Sequence, residues 1–303
     1  KMTKHSIFIT GSKGFIGSRF IEIISKYKKY EVVHSDSFLF KNCNLYKDMF
    51  TNKNFLKKDL RDLNGGDIQG GKTFIHFGAL SNDPLGKLND NLTYKINLNS
   101  TIRLAKLAKK TGYEKFIFSS SCIMYGEQGD DITVSEDSKR NPVTAYAKSK
   151  VIAEDEILKL SDKNFKVVCV RNGTIYGLSN YMRLDTVLNN FIFEALKNNS
   201  ININGDGKPW RPVTHIDDVC RYFKLFLDTD NKNIHYNEYN VGTNKSNVKI
   251  IKLAKLLAKK NKNFKIKLLN KKNSDVRSYR VNFSRFRKNF QNFNFKYNLD
   301  NGI

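Results

Sequence analysis

Cysteine and proline are scarce in this chain, with four of each in 303 residues, and tryptophan occurs once. The cysteines, Cys43, Cys122, Cys169 and Cys220, stand far apart with no paired spacing. That pattern speaks against a zinc site or a disulfide framework and makes a reducing cytoplasm the expected compartment. Few prolines and only 18 glycines exclude a collagen-like or low-complexity chain. No apolar run approaches the roughly 18 to 20 residues of a membrane-spanning helix, so no membrane partner is expected. The short apolar run Ile7-Phe8-Ile9 meets a glycine motif at once, which leaves no room for a signal peptide. Acidic residues are the last shortage: 29 Asp and Glu against 53 Lys and Arg give a net charge of +24. So basic a balance raises nucleic acid, a membrane surface or an anionic substrate as partners. Lysine and asparagine recur in loops and strand flanks alike, which reads more simply as compositional drift.

What is present is a regular alternation. Ser6–Thr10, Glu31–Ser35, Thr73–Phe77, Lys115–Ser120 and Phe165–Val170 read as short buried strands. Helical spacing runs through Phe15–Tyr27, Asn91–Lys110, Ala145–Leu160, Val187–Leu196, Val219–Leu227 and Lys249–Lys259. Alternating strands and helices predict an α/β fold, a doubly wound and mostly parallel sheet of the Rossmann type. The regularity weakens after Gly177, and Lys208–Asp218 reads as a polar loop. The expected division is residues 1–178 for a dinucleotide and 179–303 for a smaller α/β substrate-binding domain. The segment around 212–242 is expected to pack back on the first.

Three groups of residues carry chemistry. Gly11-Ser12-Lys13-Gly14-Phe15-Ile16-Gly17 follows a strand and opens a helix. Glycines there allow a tight turn, and the helix N-terminus offers N–H groups and positive potential to a pyrophosphate. Gly11, Gly14, Phe15, Ile16 and Gly17 are therefore expected around a dinucleotide. Asp36 ends the second strand about 20 residues on, where a carboxylate binds ribose hydroxyls and repels a 2′-phosphate, favouring NAD. Tyr146 and Lys150 are four apart and share one helical face. A nearby ammonium brings a tyrosine hydroxyl toward the working range of a general base. Ser121 sits at the carboxyl end of a strand, where ligands of such sheets bind, and can hold a hydroxyl against Tyr146.

In this order, the glycine turn, the serine strand and Tyr-x-x-x-Lys resemble the extended short-chain dehydrogenases/reductases, within them the NAD-dependent nucleotide-sugar epimerases and dehydratases. The resemblance spans nearly the whole chain. It implies that Asp59 and Leu60 meet adenine, that Phe77, Gly78, Ala79 and Asn97 line the cofactor, and that Lys150 binds the nicotinamide ribose. Arg211-x-x-x-His215-x-Asp217-Asp218 matches the subset acting on nucleotide-activated sugars. Arg211 with Arg277 or Arg280 is then implied on the diphosphate, a task suited to bidentate guanidinium groups. Asp83, Ser121, Cys122, Tyr146, Asn172, Thr174, Arg183 and Asn190 are the remaining substrate-facing candidates. No metal is implied. A homodimer through the helices near Asn97–Lys110 and Ala145–Leu160 is.

Two departures matter. The family's 4,6-dehydratases carry an Asp-Glu pair directly after the serine-strand hydroxyl, and here those positions are Cys122 and Ile123. Neither is an acid or base for eliminating water, so a 4,6-dehydratase is disfavoured. Thr174 replaces the usual asparagine before Tyr176-Gly177. The reading that follows is NAD-dependent oxidation of a secondary hydroxyl, at C4, on a sugar nucleotide used for surface polysaccharide. The outcome is epimerisation or net dehydrogenation, or, run backwards, reduction of a 4-keto sugar. The competing class is a nucleic-acid-binding protein. It draws on the basic run Lys259–Lys288 with Phe264, Tyr279, Phe283 and Phe286 interleaved.

Overall fold

The computed structural model describes residues 4–40, 42–46, 54–81, 89–269 and 277–303. The buried apolar runs become strands β1 (His5–Thr10), β2 (Tyr30–Asp36), β3 (Phe55–Lys57), β4 (Thr73–His76) and β5 (Lys115–Ser121). There follow β6 (Thr133–Val134), β7 (Lys166–Asn172), β8 (Thr174–Tyr176), β9 (Ser200–Asn204), β10 (Trp210–His215) and β11 (Glu238–Val241). The last are β12 (Asn247–Lys249), β13 (Lys265–Leu269) and β14 (Arg280–Val281). Seven of them form one parallel sheet in the order β11-β7-β5-β4-β1-β2-β3. The order reverses between β1 and β4, which opens a crevice at the strands' carboxyl ends, where doubly wound sheets bind ligands.

Both faces of this sheet are covered, as a parallel sheet requires. One face packs against Phe20, Ile21 and Ile24 of helix Phe15–Ile24 and Ile216, Val219 and Phe223 of helix Ile216–Asp228. The other packs against Leu104, Ala105 and Ala108 of helix Ser100–Lys110 and Ala153 and Ile157 of helix Ala145–Leu158. A second, smaller layer joins the sheets β12-β10-β8 and β13-β9 to helices Val187–Asn198 and Ile250–Lys260 around Leu188, Ile203, Leu253 and Leu257. The chain crosses between the layers more than once. Helix Ile216–Asp228 and β11 lie with the large sheet, as does Phe286 near the C-terminus.

Two local readings of the sequence are corrected. Lys208–Asp218 is not a loop: its centre is β10, paired in parallel with β8 and antiparallel with β12. Arg211 and Pro212 disguise it, and tertiary pairing overrides their poor strand propensity. The helix expected over Asn91–Lys110 is interrupted by a π-helical stretch, Tyr94–Asn99. Such wide turns mark places where side-chain placement outweighs regular geometry, and Asn97 sits on this one.

Candidate active site

Gly11 has φ +71, and a Cβ there would lie 2.5 Å from the backbone nitrogen of Gly78 on the neighbouring strand's exit. A Cβ on Gly17 would lie 2.0 Å from the Gly11 carbonyl. Only glycine fits either position. The turn closes with Gly14 N–H donating to the Gly11 carbonyl at 3.1 Å. No side chain caps helix Phe15–Ile24, so its first-turn N–H groups remain for an anionic ligand. The Phe15 ring turns into the core beneath, with Ile16 packed against it. These observations fit a dinucleotide pyrophosphate.

Asp36 ends β2 beside this turn. Its carboxylate accepts the Lys13 backbone N–H at 2.9 Å and the Phe38 N–H at 2.7 Å. Burial raises its pKa, and those two N–H groups oppose the rise. Asp59 is paired with Arg61 at 2.9 Å, and that pair holds its carboxyl below the usual range. Leu60 is buried, and its carbonyl and that of Leu63 receive the Arg103 guanidinium at 2.5 and 2.6 Å. Phe77 packs edge-on to Phe20 and Phe223. Gly78 and the half-buried Ala79 follow at the exit of β4. Asn97 grips Leu80 by both its N–H (2.8 Å) and its carbonyl (2.9 Å), fixing that exit. Asp83 lies outside the described residues.

Ser121 ends β5, in register with Asn172 of β7. Its Oγ accepts the Ile123 N–H at 3.3 Å. Thr144 caps helix Ala145–Leu158 through the Ala147 N–H at 3.1 Å, which sets Tyr146 and Lys150 in the first turns. Lys150 is 3% exposed. Its Nζ donates to the Ser119 carbonyl at 2.9 Å and lies 4.5 Å from the centre of the Phe118 ring and 6.0 Å from that of Tyr146. Burial pushes its pKa down to about 7, against the pull of the Glu154 carboxylate. The structure thus sets Lys150 beside Tyr146 and against the Ser119 carbonyl, two residues before Ser121 on β5.

Two expected substrate contacts are turned inward. The Cys122 side chain is fully buried among Met124, Tyr125 and Val281, and its thiol points at the Arg171 carbonyl. Asn172 donates to Ser119 Oγ, the Ser120 carbonyl and the Val170 carbonyl, and accepts the Tyr222 hydroxyl at 2.6 Å. Both side chains are buried and spend their polar atoms on the protein itself. Thr174 opens β8 opposite Val213 of β10. Arg183 pairs with Asp185 at 2.6 Å. Asn190 is half-buried in helix Val187–Asn198, while Asn189 beside it holds the loop before that helix through Gly177 N–H and the Arg183 carbonyl.

On β10, Arg211 is buried, donates to the Trp210 and Arg277 carbonyls, and lies over the Tyr279 ring at 5.5 Å. Arg211 and the Arg277 segment therefore meet, although 66 positions separate them. Arg280 instead stacks on Trp210 at 5.4 Å. The aromatic residues of the basic C-terminal run are core: Tyr279, Phe283 and Phe286 are buried and Phe264 is packed against the smaller layer. They present no stacking platform, so the aromatic part of the nucleic-acid reading has no support.

Sequence reasoning passed over Glu154. It accepts from Ser120 Oγ at 2.5 Å and from Arg171 at 2.5 and 2.9 Å. Its position four residues after Lys150, on the same helical face, was the available signal.

The chain resembles known proteins over most of its length. The chain is 29% identical over 246 residues to a putative UDP-glucose 4-epimerase of Methanocaldococcus jannaschii, covering 79% of this chain and 77% of that protein. It is 28% identical to a mouse dTDP-D-glucose 4,6-dehydratase, covering 83% and 71%. The solved UDP-glucuronic acid 4-epimerase of Bacillus cereus, in complex with UDP-glucuronic acid and NAD, superposes with a TM-score of 0.83 at 25% identity, over 98% of this chain and 96% of that one. Among the described residues, no helix is long and apolar enough to cross a membrane. The profile of the NAD dependent epimerase/dehydratase family matches residues 7–242, and the chain belongs to that family.

Proposed function

We propose that this chain oxidises a secondary hydroxyl, at C4, of a nucleotide-activated sugar, and that the usual outcome is epimerisation. One observation carries the reading: Lys150 is seated on the Ser119 carbonyl, one helical turn from Tyr146, at the end of the strand that carries Ser121. Bound NAD would supply the reversible hydride acceptor for the sugar carbon. The glycine turn and the first turn of helix Phe15–Ile24 would hold its pyrophosphate, and Asp36 its adenosine ribose. Ser121 orients the sugar hydroxyl. Tyr146 acts as a phenolate, which the Lys150 ammonium stabilises, and it becomes the neutral phenol as it takes the hydroxyl proton. Arg211, with the Arg277 segment beside it, would take the diphosphate.

The family's relatives include 4,6-dehydratases as well as epimerases. We favour the epimerase because the residues after Ser121 offer no acid or base: Ile123 is apolar, and burial pushes the Cys122 thiol well up. Residues beyond about 178 supply the sugar-nucleotide side of the cleft in this reading, and the product feeds surface polysaccharide. Helices Ser100–Lys110 and Ala145–Leu158 are the surface we assign to a homodimer in the cytoplasm. The test is incubation with NAD and a panel of UDP-, dTDP-, GDP- and CDP-sugars, followed by mass spectrometry, chromatography and absorbance at 340 nm. The expected result is interconversion of two isomers of equal mass without accumulated NADH. A product lighter by one water would establish a dehydratase and overturn the preference. No conversion of any sugar would overturn the reading.

A further inference from the structure

We propose that Glu154 is a positioning residue for the Tyr146–Lys150 pair, holding the end of β5 in place and keeping an anion behind Lys150. The inference rests on the reading of Tyr146 and Lys150 given above. Glu154 follows Lys150 by one helical turn and Tyr146 by two, on one face of helix Ala145–Leu158. Its side chain is wholly buried. One oxygen accepts the Ser120 hydroxyl at 2.5 Å, and the other takes the Arg171 guanidinium at 2.5 and 2.9 Å. Ser120 is the residue between Ser119, whose carbonyl receives Lys150, and Ser121. A single carboxylate therefore grips the strand at the point that sets the spacing of both groups. Arg171 is itself fixed by the Tyr125 hydroxyl at 2.9 Å and the Glu136 carbonyl at 3.1 Å, so the grip is rigid.

A buried ion pair adds little net stability compared with apolar residues of the same volume. Its position gives it a use. The groups facing Lys150 are Glu154 on its own helix, Cys169 on β7, His76 at the end of β4 and the Tyr146 ring, with Arg171 behind Glu154. Burial holds the Cys169 thiol protonated and His76 neutral, so Glu154 is the anion that keeps Lys150 charged. Without it, a buried Lys150 loses its proton at lower pH and stabilises a phenolate less.

The experiment follows Lys150 directly, by the pH titration of its Nζ resonance in lysine-labelled protein, assigned with Lys150→Met, and in parallel the pH profile of kcat. Glu154→Gln is expected to lower the Lys150 titration by about one pH unit or more. It should also move the alkaline limb of kcat toward acid and cut kcat about 10- to 100-fold, with NAD Kd and substrate KM changed less than about threefold. Ser120→Ala keeps the Glu154–Arg171 pair and is expected to cut kcat about 3- to 10-fold with a smaller titration shift. A folded Glu154→Gln protein with the wild-type titration and wild-type profile overturns the inference. If Glu154→Gln does not fold, Ser120→Ala decides by the same readouts, and unchanged values overturn it. The titration needs no substrate, so a failure of the proposed reaction leaves this test intact. Wild-type turnover with an unaltered Glu154→Gln profile counts against Glu154 alone.

Discussion

The glycine turn keeps its shape through backbone contacts, with Gly11 and Gly17 packed where any Cβ would collide with a main chain. The end we propose for the diphosphate depends on one long side chain, Arg211, laid over Tyr279 and held by the Trp210 and Arg277 carbonyls. A site made of backbone demands particular residues at fixed spacing. A site made of long side chains can be assembled from residues far apart in the chain, and its spacing in sequence carries little information.

The comparison can be broken first at the backbone end. Gly17→Ala places a Cβ 2.0 Å from the Gly11 carbonyl, so NAD affinity by calorimetry should fall more than about 100-fold or the fold should fail. Near-normal NAD binding would show that the turn does not hold the dinucleotide. At the side-chain end, Arg211→Ala should raise the sugar-nucleotide KM about 10- to 100-fold while NAD Kd stays constant, since charge-assisted contacts to phosphate are lost. A matching loss of NAD affinity would show the two ends are not separable. Asp36→Ala should lower the preference for NAD over NADP about tenfold, measured as a ratio of kcat/KM values. An unchanged ratio would remove Asp36 from that role.

The smallest effect at neutral pH concerns His76, which ties β1 to helix Ser100–Lys110. Thr10 at 2.6 Å and Thr101 at 2.9 Å share its two ring nitrogens. Burial pushes its pKa down to about 3, with Lys150 adding to the effect. An unfolded histidine takes its proton near pH 6.5. Between those values the unfolded state binds more protons, so stability falls as pH falls, by up to about 1.4 kcal/mol per pH unit from this group. Denaturant unfolding of His76→Gln at several pH values should show a shallower slope than the wild type below pH 6, and equal slopes would place the acid sensitivity elsewhere.

Much of the fold was legible because parallel strands are buried on both sides and read as continuous apolar runs, as residues 167–170 of β7 do. β10 was not, because Arg211 and Pro212 sit inside it and only pairing with β8 and β12 makes it a strand. At the site, glycine spacing and Tyr-x-x-x-Lys could be read because turns and helical faces are local. What Cys122 and Asn172 contact could not, since their partners, the Arg171 carbonyl and the Tyr222 hydroxyl, are distant in the chain. The approach of Arg211 to the Arg277 segment, a long-range contact with no local pattern, was implied by the family resemblance alone. Glu154 lay between these cases: its helical face was readable, but its partners Ser120 and Arg171 were not.

The most direct test is Tyr146→Phe, which removes the proposed base and leaves the ring. The account predicts that the variant binds NAD with wild-type Kd and loses at least about 100-fold in kcat on the nucleotide sugar the wild type converts. Turnover within about threefold of wild type, with NAD still bound, would contradict it.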